Sequence, residues 1–355
     1  MRKIDEVLKQ YSFYDKNINV LEFGNGNINK TYLVKKDDWY IIQKINNKVF
    51  SNPEEVIYNI NLLSQYCKDN NKNVNVIELV ANKEGEYITK TRHCEDDYFR
   101  CYKYINSNVI DKERVNYNHL YEAGRIIGTF LKEFNDLDYR LLKETIKDFH
   151  NTALRYNRFI AVVNEDKYFR KRLANNEVNK LIKYRYLLQS INYKMPVRVC
   201  HNDTKLNNIL FDNYGKGVAL IDMDTVMPGF LIYDYADGLR SLISNVQEDD
   251  KNIERIEINI NNFYYYTKGF LESVIDIITM TEFFSLVKGL EIITYECSLR
   301  FLTDYIENDV YFKTDYCSHN LVRTKNQIKL LEEIINHEKD FEKSIIKILL
   351  EIKSK

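Results

Sequence analysis

Apolar positions in the first hundred residues come in short alternating runs, Tyr32-Leu33-Val34 and Tyr40-Ile41-Ile42-Gln43-Lys44-Ile45, separated by Gly and Asn. Period-two alternation between such breakers predicts strands. After Pro53 the period lengthens, and Val56, Ile60 and Leu63 fall on one face of a helix. Ser51 or Asn52 can cap it, Pro53 suits its first position, and Glu54 and Glu55 complement its amino end. From about Tyr102 the pattern is helical, with long segments near His119–Leu137, Asp166–Ile191, Asp249–Lys268, Thr281–Tyr305 and Asn320–Ser354. One stretch interrupts it. Val197–Cys200, Asn208–Phe211 and Val218–Asp222 read as short strands around a loop dense in polar groups. The pattern predicts an α+β chain: a small β-sheet lobe with one main helix over residues 1–101, and a larger, mostly α lobe over 102–355. The hinge is expected near Phe99–Ile105.

Composition narrows the function. The 355 residues exceed what one core usually serves, which agrees with two lobes. A net charge of −1 removes the long-range positive field that nucleic-acid and anionic-membrane partners call for, and neither partner is expected. The six cysteines form no C-x-x-C pair, so buried thiols in a reducing compartment are expected, not a zinc site or a disulfide framework. The amino end lacks the apolar run of a signal peptide, and a cytoplasmic location is expected.

The chemistry lies in the polar loop. His201-Asn202-Asp203-Thr204-Lys205-Leu206-Asn207-Asn208 has the spacing H-x-D-x-x-x-x-N, and Ile221-Asp222-Met223-Asp224 follows beyond a turn. Two carboxylates and an amide at these spacings suit phosphoryl transfer from a metal-bound nucleotide. Asp203 is expected to accept a hydroxyl proton, while Asn208 and Asp222 supply hard oxygens to Mg²⁺. His201, two residues before the base, is a poor candidate for catalysis itself. Asp222 and Asp224 sit on alternate positions, so both are expected to project to the same side of the strand, and Asp224 either turns to substrate hydroxyls or shares the metal. Gly24-Asn25-Gly26 would let backbone amides approach phosphates, with Gly24 and Gly26 at the turn. Lys44 shares a strand face with Ile42 and is expected to be the cation for those phosphates, with Glu55 or Glu54 as its acidic partner. Tyr104 and Ile105 in the hinge would hold adenine.

The two motifs together resemble those of the aminoglycoside phosphotransferase and choline kinase group, and no H-R-D, D-F-G or A-P-E of protein kinases is present. Within the group the chain is most similar to N-acetylhexosamine 1-kinases. Gly24–Asn29, Phe149–Thr152, Asp224–Gly229 with Tyr233-Asp234, and Arg300–Tyr305 leading to Tyr311-Phe312 extend that likeness over most of the chain. The resemblance implies a bilobal protein-kinase-like fold, ATP and Mg²⁺ as cofactors, and a small-molecule amino sugar as substrate, phosphorylated on its anomeric hydroxyl. It implies that Arg300 and Tyr311 reach the sugar ring and its N-acetyl group, with Asp304 beside them. Arg300 and Asp304 also stand i, i+4 on one helix, where they could simply pair. The chain departs from the family at Asn27, where an imidazole is usual next to the sugar. A kinase of another small alcohol (choline, homoserine, another sugar or an aminoglycoside) and a non-catalytic nucleotide-binding protein are the rival readings.

Overall fold

The computed structural model describes residues 2–24, 29–91, 94–190 and 194–354. The small lobe begins with helix α1 (Arg2–Leu8) and strands β1 (Asn19–Glu22), β2 (Lys30–Lys35) and β3 (Trp39–Ile45). Helix α2 (Pro53–Asp69) and strands β4 (Thr89–Thr91) and β5 (Cys94–Lys103) complete it. The five strands form an antiparallel sheet in the order β1-β2-β3-β5-β4. Pro53 opens α2 as expected, although Asn52 makes no side-chain cap. Strand β5 runs on through Lys103, so the connection to the larger lobe starts at Tyr104, in the last part of the expected Phe99–Ile105 hinge.

The sheet has two working faces, and strand alternation decides which side chain serves which. Ile42 joins Ile4, Val7, Leu8, Tyr11, Phe99 and Cys101 in a separate core under α1. Ile45 instead joins Val56, Ile60 and Leu63 of α2 in the main core, on the face toward the larger lobe. Asn59 of α2 is fully buried and fixes that helix across the cleft, donating to the Lys143 and Val226 carbonyls at 2.8 and 2.9 Å.

The larger lobe is built of α3 (Tyr117–Glu133), α4 (Thr152–Glu165), α5 (Asn175–Lys183), β6 (Arg198–Cys200), β7 (Ile209–Phe211), β8 (Gly217–Leu220), β9 (Met227–Gly229) and α6 (Leu231–Ile243). It ends with α7 (Ile260–Val274), α8 (Met280–Phe284), α9 (Leu286–Ile306), α10 (His319–Asn336) and α11 (Glu338–Lys353). β6 pairs with β9 and β7 with β8, as two short ribbons that bracket the polar loop. Several expected helices are shorter or divided. The 166–191 segment is helical only over α5, with 3₁₀ turns on both sides. Residues 249–259 hold a 3₁₀ turn before α7, and the last two expected helices break at Ser285 and His337. Cys101 and Cys200 are buried as expected, but Cys317 is exposed. Among the described residues no helix is long and apolar enough to cross a membrane.

Candidate active site

The polar loop is held from three sides before any chemistry is asked of it. Asp234, in the first turn of α6, accepts the His201 and Asn202 amides at 2.8 and 2.6 Å, and its backbone carbonyl takes the Thr204 hydroxyl at 2.6 Å. His201 Nε2 lies 3.0 Å from the Ile221 carbonyl, which ties the loop to the end of β8. His150 Nε2 lies 3.1 Å from the Asn202 carbonyl, and its Nδ1 lies 2.9 Å from Glu296 of α9. Burial works against charge on His150, yet the Glu296 carboxylate holds its pKa above the ordinary value. His150 and Asp234 thus brace the loop from behind.

In that frame Asp203 is closely attended. Lys205 Nζ donates to its Oδ2 at 2.8 Å, and Asn208 Nδ2 donates to the same oxygen at 3.0 Å and to the Asp203 carbonyl at 2.8 Å. Burial pushes the Asp203 carboxyl up, but Lys205, His201 and Asn208 together hold it below the usual carboxylate range. Among the described residues no donor is directed at Asp203 Oδ1, so a hydroxyl can approach there. The Asn208 amide is oriented by these bonds so that its carbonyl oxygen stays available to a cation. Lys205 was not singled out in the sequence. Its place two residues after the base is the signal that could have identified it.

Asp222 does not lie on a continuing strand. It adopts a left-handed conformation with φ of 63°, and Met223–Thr225 form a 3₁₀ turn. Alternation therefore does not govern Asp222 and Asp224, and they take different environments. The Asp222 carboxylate accepts no hydrogen bond among the described residues, and burial followed by the nearby Asp224 charge pushes its pKa up to about 7. A carboxylate left in that condition is a natural position for a divalent cation, which Asn208 and Asp222 fit as hard oxygen donors. Asp224 is buried, accepts the Asn29 amide at 2.7 Å and forms an ion pair with Arg100. Here it is engaged by Asn29 and Arg100, whereas the sequence offered it substrate hydroxyls or a share of the metal.

Lys44 is displaced from its expected role. It lies on the same sheet face as Ile42, which is the α1 face, and forms an ion pair with Asp97, to which Lys3 also donates. Neither expected acid joins it: Glu54 meets Lys90 at 3.2 Å, and among the described residues Glu55 has no ion pair. Gln43 takes the cleft-facing place on β3, and its Oε1 accepts Arg100 Nε and Nη2 at 3.0 and 2.5 Å. Gly24 has a positive φ of 75°, a backbone shape that suits glycine. Gly26 and Asn27 lie outside the described residues. At the hinge the Tyr104 ring stands 6.2 Å edge-on from Phe23 and 6.2 Å from Trp39, and Ile105 packs on the main core.

Toward the helical side, Arg300 and Asp304 do not pair, and each has another task. The Arg300 guanidinium lies over the rings of Phe149, Phe312 and Tyr311 at 5.0, 5.4 and 5.8 Å. The Asp203 carboxylate is among the charges that raise its pKa, after burial, which opposes them. Asp304 is buried and receives the Val310, Tyr311 and Phe312 amides at 2.8–3.0 Å, together with the Asn320 amide at 2.8 Å. With four donors it anchors the loop that carries Tyr311 and has no free direction toward a substrate.

Comparison with solved structures gives the same architecture. The chain is similar to a spectinomycin phosphotransferase solved with ADP and spectinomycin: identity is 14%, the TM-score is 0.55, and the match covers 99% of this chain and 98% of that one. An amicoumacin kinase solved with AMP-PNP, Ca²⁺ and Ami matches at 13% identity and a TM-score of 0.59, over 94% and 93%. An ethanolamine kinase of Plasmodium vivax matches at 13% identity and 0.56, over 89% and 84%. These likenesses show a bilobal, protein-kinase-like fold, in agreement with the small antiparallel sheet and the helical second lobe. Residues 19–254, which hold the sheet, the polar loop and both aspartates beyond it, match the family model described as phosphotransferase enzyme family. The chain belongs to that family of small-molecule phosphotransferases.

Proposed function

We propose that this protein is an ATP- and Mg²⁺-dependent kinase that phosphorylates the anomeric hydroxyl of an N-acetylhexosamine, giving the 1-phosphate. The observation that carries the phosphoryl-transfer reading is the arrangement of Asp203, Lys205, Asn208 and Asp222 around one point. Asp203 Oδ1 orients the acceptor hydroxyl and takes its proton, while Lys205 offsets charge on the other oxygen. Asn208 and Asp222 would hold Mg²⁺. When bound, the metal-nucleotide supplies the phosphoryl group and neutralises charge that builds on it. An anomeric hydroxyl is more acidic than an ordinary alcohol, so a base with a depressed pKa is sufficient. Residues 1–101 are assigned to the nucleotide, with Tyr104 and Ile105 against adenine, and residues 102–355 to the acceptor.

Support for a neutral sugar comes from the acceptor side. Arg300 occupies the space among Phe149, Tyr311 and Phe312 that an aromatic cage for a quaternary ammonium would need, and its charge repels a cationic acceptor. That disfavours choline and the aminoglycosides. A guanidinium and a nearby phenol suit ring hydroxyls and an amide carbonyl instead. The test is ADP release with Mg·ATP across GlcNAc, GalNAc, glucose, galactose, choline, homoserine and kanamycin. Turnover confined to the two N-acetylhexosamines supports the reading; turnover only with choline or kanamycin overturns the acceptor assignment.

A further inference from the structure

The phosphate-binding cation of the small lobe is missing from its expected place, and the sheet register shows what stands there. β3 and β5 are antiparallel, with Gln43 directly opposite Arg100 and Lys44 opposite Phe99. Residues opposed in this way send their side chains to the same face. Phe99 and Cys101 lie in the core under α1, so Lys44 points to that outer face, where Asp97 holds it. Arg100 and Gln43 therefore share the inner face. Arg100 is fully buried, with its Nε and Nη2 on Gln43 and its Nη1 beside Asp224.

Charge and geometry agree on what this guanidinium faces. Around it lie Asp224 and Asp222, with Asp203 and its partner Lys205 on the other side of the same cluster. Among the described residues no lysine or arginine besides Arg100 and Lys205 forms an ion pair with these three carboxylates. The Arg100–Asp224 pair is close but not aligned: neither Arg100 Nη1 nor Asp224 Oδ1 has a hydrogen-bond partner of good geometry. Both are buried; Nη1 carries two N–H groups, and its single contact with Asp224 leaves one for another acceptor. Asn29, which donates to Asp224 at 2.7 Å and accepts the Asn46 amide at 3.0 Å, brings the end of the Gly24–Asn29 segment to the same point.

We infer that Arg100, delivered from β5 and steadied by Gln43, is the cation of the small lobe that binds the nucleotide phosphates, and that Asp224 is the carboxylate that positions it. This rests on the kinase reading above. Arg100 keeps Gln43 through Nε and Nη2 and presents Nη1 to a phosphate oxygen, a charge-assisted contact for which a guanidinium is well shaped. Lys44 is left a structural role, tying β3 to Asp97.

The decisive comparison is nucleotide binding by titration calorimetry, with Mg·ATP and with adenosine, on wild type, Arg100→Gln and Lys44→Gln. Arg100→Gln is expected to weaken Mg·ATP by about ten- to a hundredfold, the range for a hydrogen bond to a charged group, and to leave adenosine within about threefold. Lys44→Gln should leave both within about threefold of wild type. Because Arg100→Gln strands the buried Asp224 charge, Arg100→Gln/Asp224→Asn provides a second variant without that penalty, and it should show the same selective loss of ATP. Equal weakening of ATP and adenosine, or a loss caused by Lys44→Gln and not by Arg100→Gln, overturns the assignment. If wild type binds no nucleotide, the kinase reading itself fails and this inference with it.

Discussion

Single residues in this chain act through the bonds they accept, and two show it most plainly. Asp304 gathers the amides of residues 310–312 and the Asn320 side chain, so the loop bearing Tyr311 depends on one carboxylate. Asp304→Ala is expected to cost about 3 kcal/mol by denaturant unfolding, since several buried donors lose their acceptor. The same variant should raise KM for the acceptor and leave KM for ATP near wild type; an unchanged unfolding midpoint would exclude the anchoring role. Asp234 shows the other side of burial, which pushes its pKa up to about 7 despite two backbone amides. An unfolded Asp titrates near 3.9, so between about pH 4 and pH 7 the folded chain holds the extra proton. Stability contributed by this group therefore falls as pH rises through that window. Thermal melts should show the margin of wild type over Asp234→Asn shrinking from pH 4 to 7, and a margin that grows instead contradicts the assignment. The spacing that singles out Asp203, Asn208 and Asp222 is readable in the sequence, and folding brings Asn208 onto Asp203 with Asp222 in the same cluster of charges. The neighbour that sets a residue's task is not readable there, because Asp304's donors and Lys44's partner come from folding.

Among the helices, α3 and α7 approach each other closely. A Cβ on Gly124 would overlap the Tyr266 carbonyl, and one on Gly269 would overlap that of Tyr121. The two helices meet backbone to backbone, and neither glycine is there for its conformation. Gly124→Ala must push the helices apart and is expected to destabilise by about 1–3 kcal/mol, read as a lower denaturant midpoint with an unchanged slope. A midpoint equal to wild type would show that the contact yields freely. Element type was readable wherever one period held for several turns, as in α2, α3 and the strands β2, β3 and β7. The 166–191 and 249–259 segments misled because outside α5 they hold short 3₁₀ turns and still bury single apolar residues, Leu187 in one and Ile256 in the other, so apolar content did not separate them from helix. The side of β3 was misjudged for a different reason. Alternation says that Ile42 and Lys44 share a face, but only the position of α1 says which face that is.

At the scale of the molecule, the lobes are knit by amide side chains that cross the cleft. Asn29 reaches Asp224, Asn59 reaches Val226 and Lys143, and Asn75 reaches the Val218 carbonyl at 2.7 Å. The two-lobe plan was foreseeable from the change of period near residue 100. These ties were not, since each joins residues more than eighty positions apart. Three of these four bonds end on β8 or the turn after it, beside Asp222, the carboxylate assigned above to the metal, so the proposed site is braced from both lobes. The most direct measurement is ³¹P NMR of the product formed from Mg·ATP and GlcNAc by wild type and by Asp203→Asn. A kinase built this way gives a phosphate coupled to the anomeric proton, with turnover reduced by about 10²–10⁴-fold in the variant. A phosphate on any other oxygen, or an Asp203→Asn variant as fast as wild type, would contradict it.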